Sequence, residues 1–233
     1  MKRIFPLFIV LVTLLSCSPG SDMLETGDPQ LDPSDVPNMA IPTLDYEFKG
    51  VWTVDGLMGD TTVVRVRTSP ERCLVSTGYD FPYKTIFAKV YPYVKVNRIN
   101  DFRLLATNFI TSTKDEIEAI SQLVNYCGWD NVIDDAYRCI GFSDKSVYLE
   151  LEPSPTNNAL FLPFVVTKDD GTLMGIVLTI APTKSTALLD KSGESLSCVY
   201  TVTQIATIID GQKESRTLNP TMQLKFTSIE RVK

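Results

Sequence analysis

Histidine, the commonest residue of catalytic sites, is missing from this chain. Its absence excludes Ser-His-Asp and Cys-His catalysis, histidine-based zinc sites and the usual near-neutral proton shuttle. Carboxylates are plentiful, with 28 Asp and Glu. Glu150 and Glu152 fall on one strand face, as a pair of glycosidase acids would, although a solvated strand face accounts for them more simply. Asp130, Asp134 and Asp135 cluster beside Trp129 but lack the alternating ligands and central glycine of a calcium loop. No Walker loop, dinucleotide fingerprint or nucleophile elbow occurs, and Ser192-Gly193-Glu194-Ser195 is a polar turn. The residues therefore name no catalytic group, metal or cofactor. A carboxylate-based hydrolase ranks below non-catalytic functions.

Aromatic residues are the better candidates for a binding surface. Tyr79, Phe81, Tyr83, Tyr91 and Tyr93 crowd one short stretch, and Trp129 has Tyr126 and Tyr137 nearby. Exposed rings stack on sugars and anchor partners, whereas most rings fill cores. Asp130 and Asn131 predict exposure for Trp129. Tyr46, Phe48 and Val54, on the same strand face as Trp52, predict its burial. Trp129, Tyr126 and Tyr137 are the candidate ligand-binding residues. Cys73, Cys127, Cys139 and Cys198 permit two disulfides in three pairings, or buried thiols. Cys127 and Cys139 are the nearest in sequence. Without a C-x-x-C pair, a four-cysteine zinc site is not expected.

These residues sit in a chain of 233, 44% hydrophobic and 21% charged, which is a globular composition. A net charge of -6 leaves no basic surplus for phosphates, so nucleic acid is not an expected partner. From Tyr46 onward apolar and polar residues alternate with period 2. Strand-like runs cover 46–55, 64–67, 72–77, 85–90, 103–110, 146–151, 160–167, 172–180, 197–209 and 222–232. Asp170-Gly171 and Asp210-Gly211 predict hairpins with type I′ turns. Pro163 inside a run predicts an edge or a bulge. One helix is expected at about 114–127, capped by Thr113 with Glu116 as a capping box, with Ile117, Ile120, Val124 and Cys127 on its apolar face and Gly128 after it. The expected fold is mainly β, an antiparallel barrel or sandwich with one amphipathic helix. An immunoglobulin-like sandwich and an α+β fold are the alternatives. Residues 46–233 read as a single domain, with a pause in the strand pattern at 128–145.

The N-terminus carries a different kind of signal. Lys2 and Arg3 precede an apolar run over 4–15, too short to span a bilayer and built like a signal peptide. Leu14-Leu15-Ser16-Cys17 resembles the lipobox of bacterial lipoproteins. That resemblance implies cleavage after residue 16, lipidation of Cys17 and anchoring in a membrane of the cell envelope, expected to be the outer membrane. Residues 17–45 read as the lipidated cysteine and a proline-rich acidic tether. Asp22, Glu25 and Asp28 resemble the acidic export signals of Bacteroidota lipoproteins and equally suit a plain acidic tether. Gly50-Val51-Trp52 resembles the opening of the lipocalin barrel, which implies a late arginine over the tryptophan, with Arg231 as the candidate. The leading expectation is a non-catalytic envelope lipoprotein that captures a glycan or an apolar or other small molecule. A structural or adhesive subunit comes second.

Overall fold

A computed structural model describes residues 43–69, 73–76, 81–108, 110–133, 136–154 and 156–233. The signal peptide, Cys17, the tether up to residue 42, Tyr79, Asp134 and Asp135 lie outside the described residues. The described chain forms β1 (Asp45–Val54), β2 (Leu57–Thr68), β3 (Cys73–Ser76), α1 (Tyr83–Val90), β4 (Val96–Asp101), α2 (Phe102–Thr107), α3 (Lys114–Cys127), β5 (Ala136–Phe142), β6 (Ser146–Leu151), β7 (Leu160–Lys168), β8 (Leu173–Ile180), β9 (Thr186–Asp190), β10 (Leu196–Ile209) and β11 (Gln212–Arg231).

All the strand pairings are antiparallel, and β11 bonds β1 on one side and β10 on the other. Eight strands, β1, β2, β3, β5, β6, β9, β10 and β11, therefore follow one another round a ring in chain order. This is the up-and-down arrangement of a barrel, not the Greek-key order of an immunoglobulin-like sandwich. β10 outruns the ring. Its first half bonds β9, and beyond an irregularity at Val202/Gln204 its second half bonds β8. β7 and β4 continue outward from β8, making a wing on the ring. β4 pairs with β7 only over 164–168, so Pro163 loses no ladder bond there.

Alternation along the strands fills the ring. Phe48, Trp52, Tyr137, Tyr200 and Phe226 are fully buried and belong to one core with Val64, Val66, Leu149 and Leu224. An eight-stranded ring is just wide enough for side chains to fill it, and here large rings do so. The same core continues under the inner face of the wing through Leu162, Phe164, Ile176 and Leu178, and α1 adds Tyr83, Ile86 and Phe87. A second core lies on the wing's outer face. There Phe102 of α2 and Ile120, Leu123 and Cys127 of α3 cover Val165, Val177, Ala206 and Ile208.

The ring has two unlike ends. The turns at 143–145 and 191–195 share one end with the start of β1, the end of β2 and the C-terminus. Both long insertions, 77–135 and 152–185, emerge at the other end. Two Asp-Gly pairs also turn the chain there. Asp210 and Gly211 both have positive φ, as a type I′ turn requires, and Asp55-Gly56 does the same between β1 and β2. At Asp170-Gly171 only Gly171 has positive φ, and its N–H donates to Lys168 O at 2.9 Å, so that hairpin closes through a different, wider turn.

The helix at Lys114–Cys127 has the expected limits, and both hydrogen bonds of the Thr113–Glu116 capping box are present. Two expected strands are helical instead. The run at 85–90 belongs to α1, where Tyr83, Ile86 and Phe87 face the core at helical spacing while β-branched Thr85 and Val90 lend the run a strand-like composition. The run at 103–110 contains α2, whose N-cap Asp101 accepts a bond from Arg103 N. The pause at 128–145 conceals β5, a full member of the ring. Its outward residues include Ile140, so the alternation is blurred.

The Gly-x-Trp at 50–52 has a packing reason. A Cβ on Gly50 would stand 2.4 Å from Thr227 O and 2.5 Å from the Phe226 ring. The arginine implied by the lipocalin resemblance does not reach Trp52, because the register sets Arg231 opposite Phe48 and Phe226 opposite Trp52. Arg231 lies over the Tyr46 ring at 4.9 Å and donates to Ser192 O, at the end of the ring that holds the termini.

Candidate functional site

A cleft of about 350 Å³ opens beside the ring, on the side where the insertions emerge. Three elements wall it: Asp60, Thr61 and Thr62 of β2, residues 81–85 at the start of α1, and Ile99, Asn100, Asp101 and Leu104 across the β4–α2 junction. Aromatic packing fixes the middle wall. The Phe81 ring sits 5.0 Å from Trp52 inside the ring, and the Tyr83 ring sits 4.9 Å from Phe164 on the wing. Tyr83 then donates its hydroxyl to Asp101 Oδ2 at 2.5 Å, tying α1 to the third wall. The other oxygen of Asp101 accepts from Arg103 N at 2.7 Å and lies 3.5 Å from Arg103 Nε. Asp101 is thus a buried brace with both oxygens engaged.

Two polar atoms in this cleft stand out. Thr62 occupies an inward position of β2, in line with Val64, Val66 and Thr68, and is only 9% exposed. Thr62 Oγ1 and Asn100 Nδ2 are buried and have no hydrogen-bond partner among the described residues. Each such atom costs about 1–3 kcal/mol when nothing satisfies it. Exposed Asp60 and Lys84 stand at the rim, with Thr61 and Thr85 adding hydroxyls. The polar side chains that solvent reaches in the cleft are those of Asp60, Thr61, Lys84 and Thr85, while Thr62 Oγ1 and Asn100 Nδ2 lie sealed in its wall. Polar groups set around one space are the usual lining of a site that orients a small ligand. Among the described residues no three Cys, Asp or Glu side chains group as metal ligands.

The three aromatic candidates are not brought together. Trp129 is 54% exposed, its ring 5.1 Å from Phe102, and it lines a separate groove of about 280 Å³ between α2 and α3 with Ile120, Ser121 and Asn125. Tyr126 packs edge-on to Phe161 and lies under the Lys213 ammonium. Tyr137 is a correction, being wholly buried inside the ring opposite Cys73 and Leu151, because alternation along β5 turns it inward. Of the crowded aromatic stretch, Phe81 and Tyr83 are buried while Tyr93 is 97% exposed. Glu150 faces Arg138 across the β5–β6 ladder and is ion-paired to it. Sequence reasoning overlooked Thr62, Asn100 and Asp101. The signals available were a hydroxyl residue on the apolar face of β2 and an aspartate just before the Phe102 run.

No disulfide joins Cys73, Cys127, Cys139 and Cys198. The pair nearest in sequence is split between cores, Cys127 under α3 and Cys139 against the ring interior. Burial pushes the Cys73 thiol from the usual 9.0 up to about 12, with Cys139 adding to the effect, and burial alone does the same for Cys127. The folded state thus favours the neutral thiols, a contribution complete below about pH 9 and lost as pH climbs toward 12. In native protein at pH 8, Cys73 and Cys127 are expected to escape iodoacetamide and to react fully in denaturant, as read by peptide mass spectrometry. Rapid native labelling of either would contradict this packing.

Fold and cleft together define the class: a β-ring with a helix-covered wing and a polar pocket between them. Compared with protein-family models, with curated proteins and with solved structures, the chain matches none.

Proposed function

We propose that the protein is a lipoprotein anchored to the cell envelope through Cys17, whose folded head holds a small polar ligand or glycan in the cleft without transforming it. The observation that carries this reading is the cleft of about 350 Å³ that the exposed polar side chains of Asp60, Thr61 and Lys84 surround. The ring interior is filled, which argues against a large apolar ligand inside it. The geometry also suits a tether. β1 starts at the end of the ring away from the insertions, so a chain rising from the bilayer leaves the cleft pointing outward.

A structural or adhesive role would use a free strand edge. The outer edge of β11 over 212–217 has no partner among the described residues, but Lys213, Glu214 and Arg216 line it, and such charges oppose strand addition.

Two measurements on the full chain test the proposal. Cells fed a radioactive fatty acid are expected to label the wild type and not Cys17→Ala. Native mass spectrometry of protein extracted from membranes is expected to show a small adduct that the Asp60→Ala/Lys84→Ala double variant lacks. Equal fatty-acid label in both proteins would refute the anchor. An adduct retained by the double variant, or no adduct in either protein, would refute the cleft as the binding site.

A further inference from the structure

A second groove, of about 330 Å³, runs on from the cleft past Lys84 and Ile99, which line both. Lys84 and Ala88 of α1, with Tyr91 after it, form one wall, and residues 96–99 of β4 form the other. β4 is the last strand of the sheet and bonds only β7, so its outer edge meets no backbone partner among the described residues. A row of unpaired N–H and C=O groups beside a groove accepts an extended chain as one more strand. We propose that this groove binds an extended acidic segment of a partner protein by strand addition to β4. The segment lies beyond the cleft, so the inference does not rest on the small-ligand reading.

Charge selects the acid. The whole chain carries a net charge of -6, yet residues 83–98 hold Lys84, Lys89, Lys95 and Arg98 and no Asp or Glu. The three lysines are exposed and make no ion pair among the described residues. Arg98 is paired with Glu116 of α3, so its charge is already answered. Cations of one sign set β4 apart from the free edge of β11, where Lys213, Glu214 and Arg216 mix signs and favour no class of strand. Apolar surface that solvent reaches completes the groove. Ala88 is exposed, Val94 is 38% exposed, and Tyr91 is half-buried with its hydroxyl 2.8 Å from Thr207 Oγ1. Side chains of an added strand alternate between two faces, so one set meets this surface while acids on the other reach the lysines.

The test uses the full chain, immobilised in a neutral detergent, and a library of capped peptides about eight residues long, enough to span β4. Retained peptides are sequenced by mass spectrometry and are expected to be enriched in Asp and Glu and depleted of Lys and Arg. A retained peptide N-methylated at every second amide is expected to lose binding in at least one of its two phases, because only alternate N–H groups face β4. Ala88→Trp fills the groove from an exposed position and is expected to abolish retention, with circular dichroism and the melting profile unchanged. Lys89→Glu/Lys95→Glu tests the charge separately and is expected to weaken a retained peptide about tenfold, the worth of two exposed ion pairs. Acidic peptides held equally by wild type and both variants would overturn the site. Retention without acidic enrichment would overturn the partner's chemistry, and full binding by both N-methylated forms would overturn strand addition. If no peptide is retained the proposal falls, and a dimer that Ala88→Trp dissociates then gives the groove to a second copy of this chain. Ala88, Lys89 and Lys95 do not line the cleft, so none of these results bears on the adduct expected there.

Discussion

Trp52→Ala is expected to destabilise the protein by about 3–5 kcal/mol, the range for deleting a large, fully buried aromatic side chain. Trp52 is 0% exposed and sits at the centre of the ring's aromatic group, its ring 5.0 Å from Phe81, 5.8 Å from Tyr200 and 5.5 Å from Phe226. Removing it opens a cavity that the ring cannot close, because hydrogen bonds to both neighbours hold β1 in place. It also withdraws the surface on which Phe81 rests, and Phe81 leads into α1 and the cleft. Trp52→Phe is expected to cost much less. It keeps an aromatic ring and deletes Nε1, which is buried without a hydrogen-bond partner among the described residues. Urea unfolding followed by circular dichroism measures both, and a drop in melting temperature of roughly 6–20 °C for the alanine variant corresponds to the same loss. A loss below about 1 kcal/mol for Trp52→Ala would mean that the ring is not packed as described. The same variant isolates Trp129, whose exposed indole is expected to be quenched by iodide, while Trp52 in a Trp129→Phe protein is shielded.

Asp101→Ala is expected to cost about 2–4 kcal/mol. Loss of the N-cap of α2 accounts for about 0.5–2 kcal/mol, and loss of the buried acceptor of the Tyr83 hydroxyl for about 1–3 kcal/mol. Arg103 adds less, because it is 29% exposed and water screens the charge left behind. Asp101→Asn is expected to recover the cap, since Asn caps helices as well as Asp does, but not the ion pair. Both variants loosen the junction between α1 and β4–α2 and so are expected to weaken any ligand held in the cleft between them. Equilibrium unfolding gives the stability and calorimetry the affinity. A variant as stable as wild type would mean that Asp101 is not the brace between the two walls.

The contrast between these residues shows how far the sequence reached. Trp52 was legible because a strand repeats every two residues, and one inward position among Phe48, Trp52 and Val54 implies the rest. The Thr113–Glu116 capping box and Gly128 fixed α3 to the residue, since a cap is a local hydrogen-bond pattern written in adjacent positions. The Asp210-Gly211 turn, the mainly β class and the exposure of Trp129 among polar neighbours are local in the same sense. Short helices were not legible at 83–90 and 102–107. Burial against the ring and wing overrides a strand-like composition there, and propensity alone cannot weigh packing that does not yet exist. Nor was it determined locally that Tyr137 turns inward, that Cys127 and Cys139 enter different cores, or that Arg231 lies opposite Phe48 instead of Trp52. Each follows from register, which is set by pairing between distant strands. The cleft is the extreme case. Thr62, Tyr83 and Asn100 come from a ring strand, a helix and a wing strand, and only closure of the ring with the wing folded beside it brings a hydroxyl, a phenol and an amide to one space.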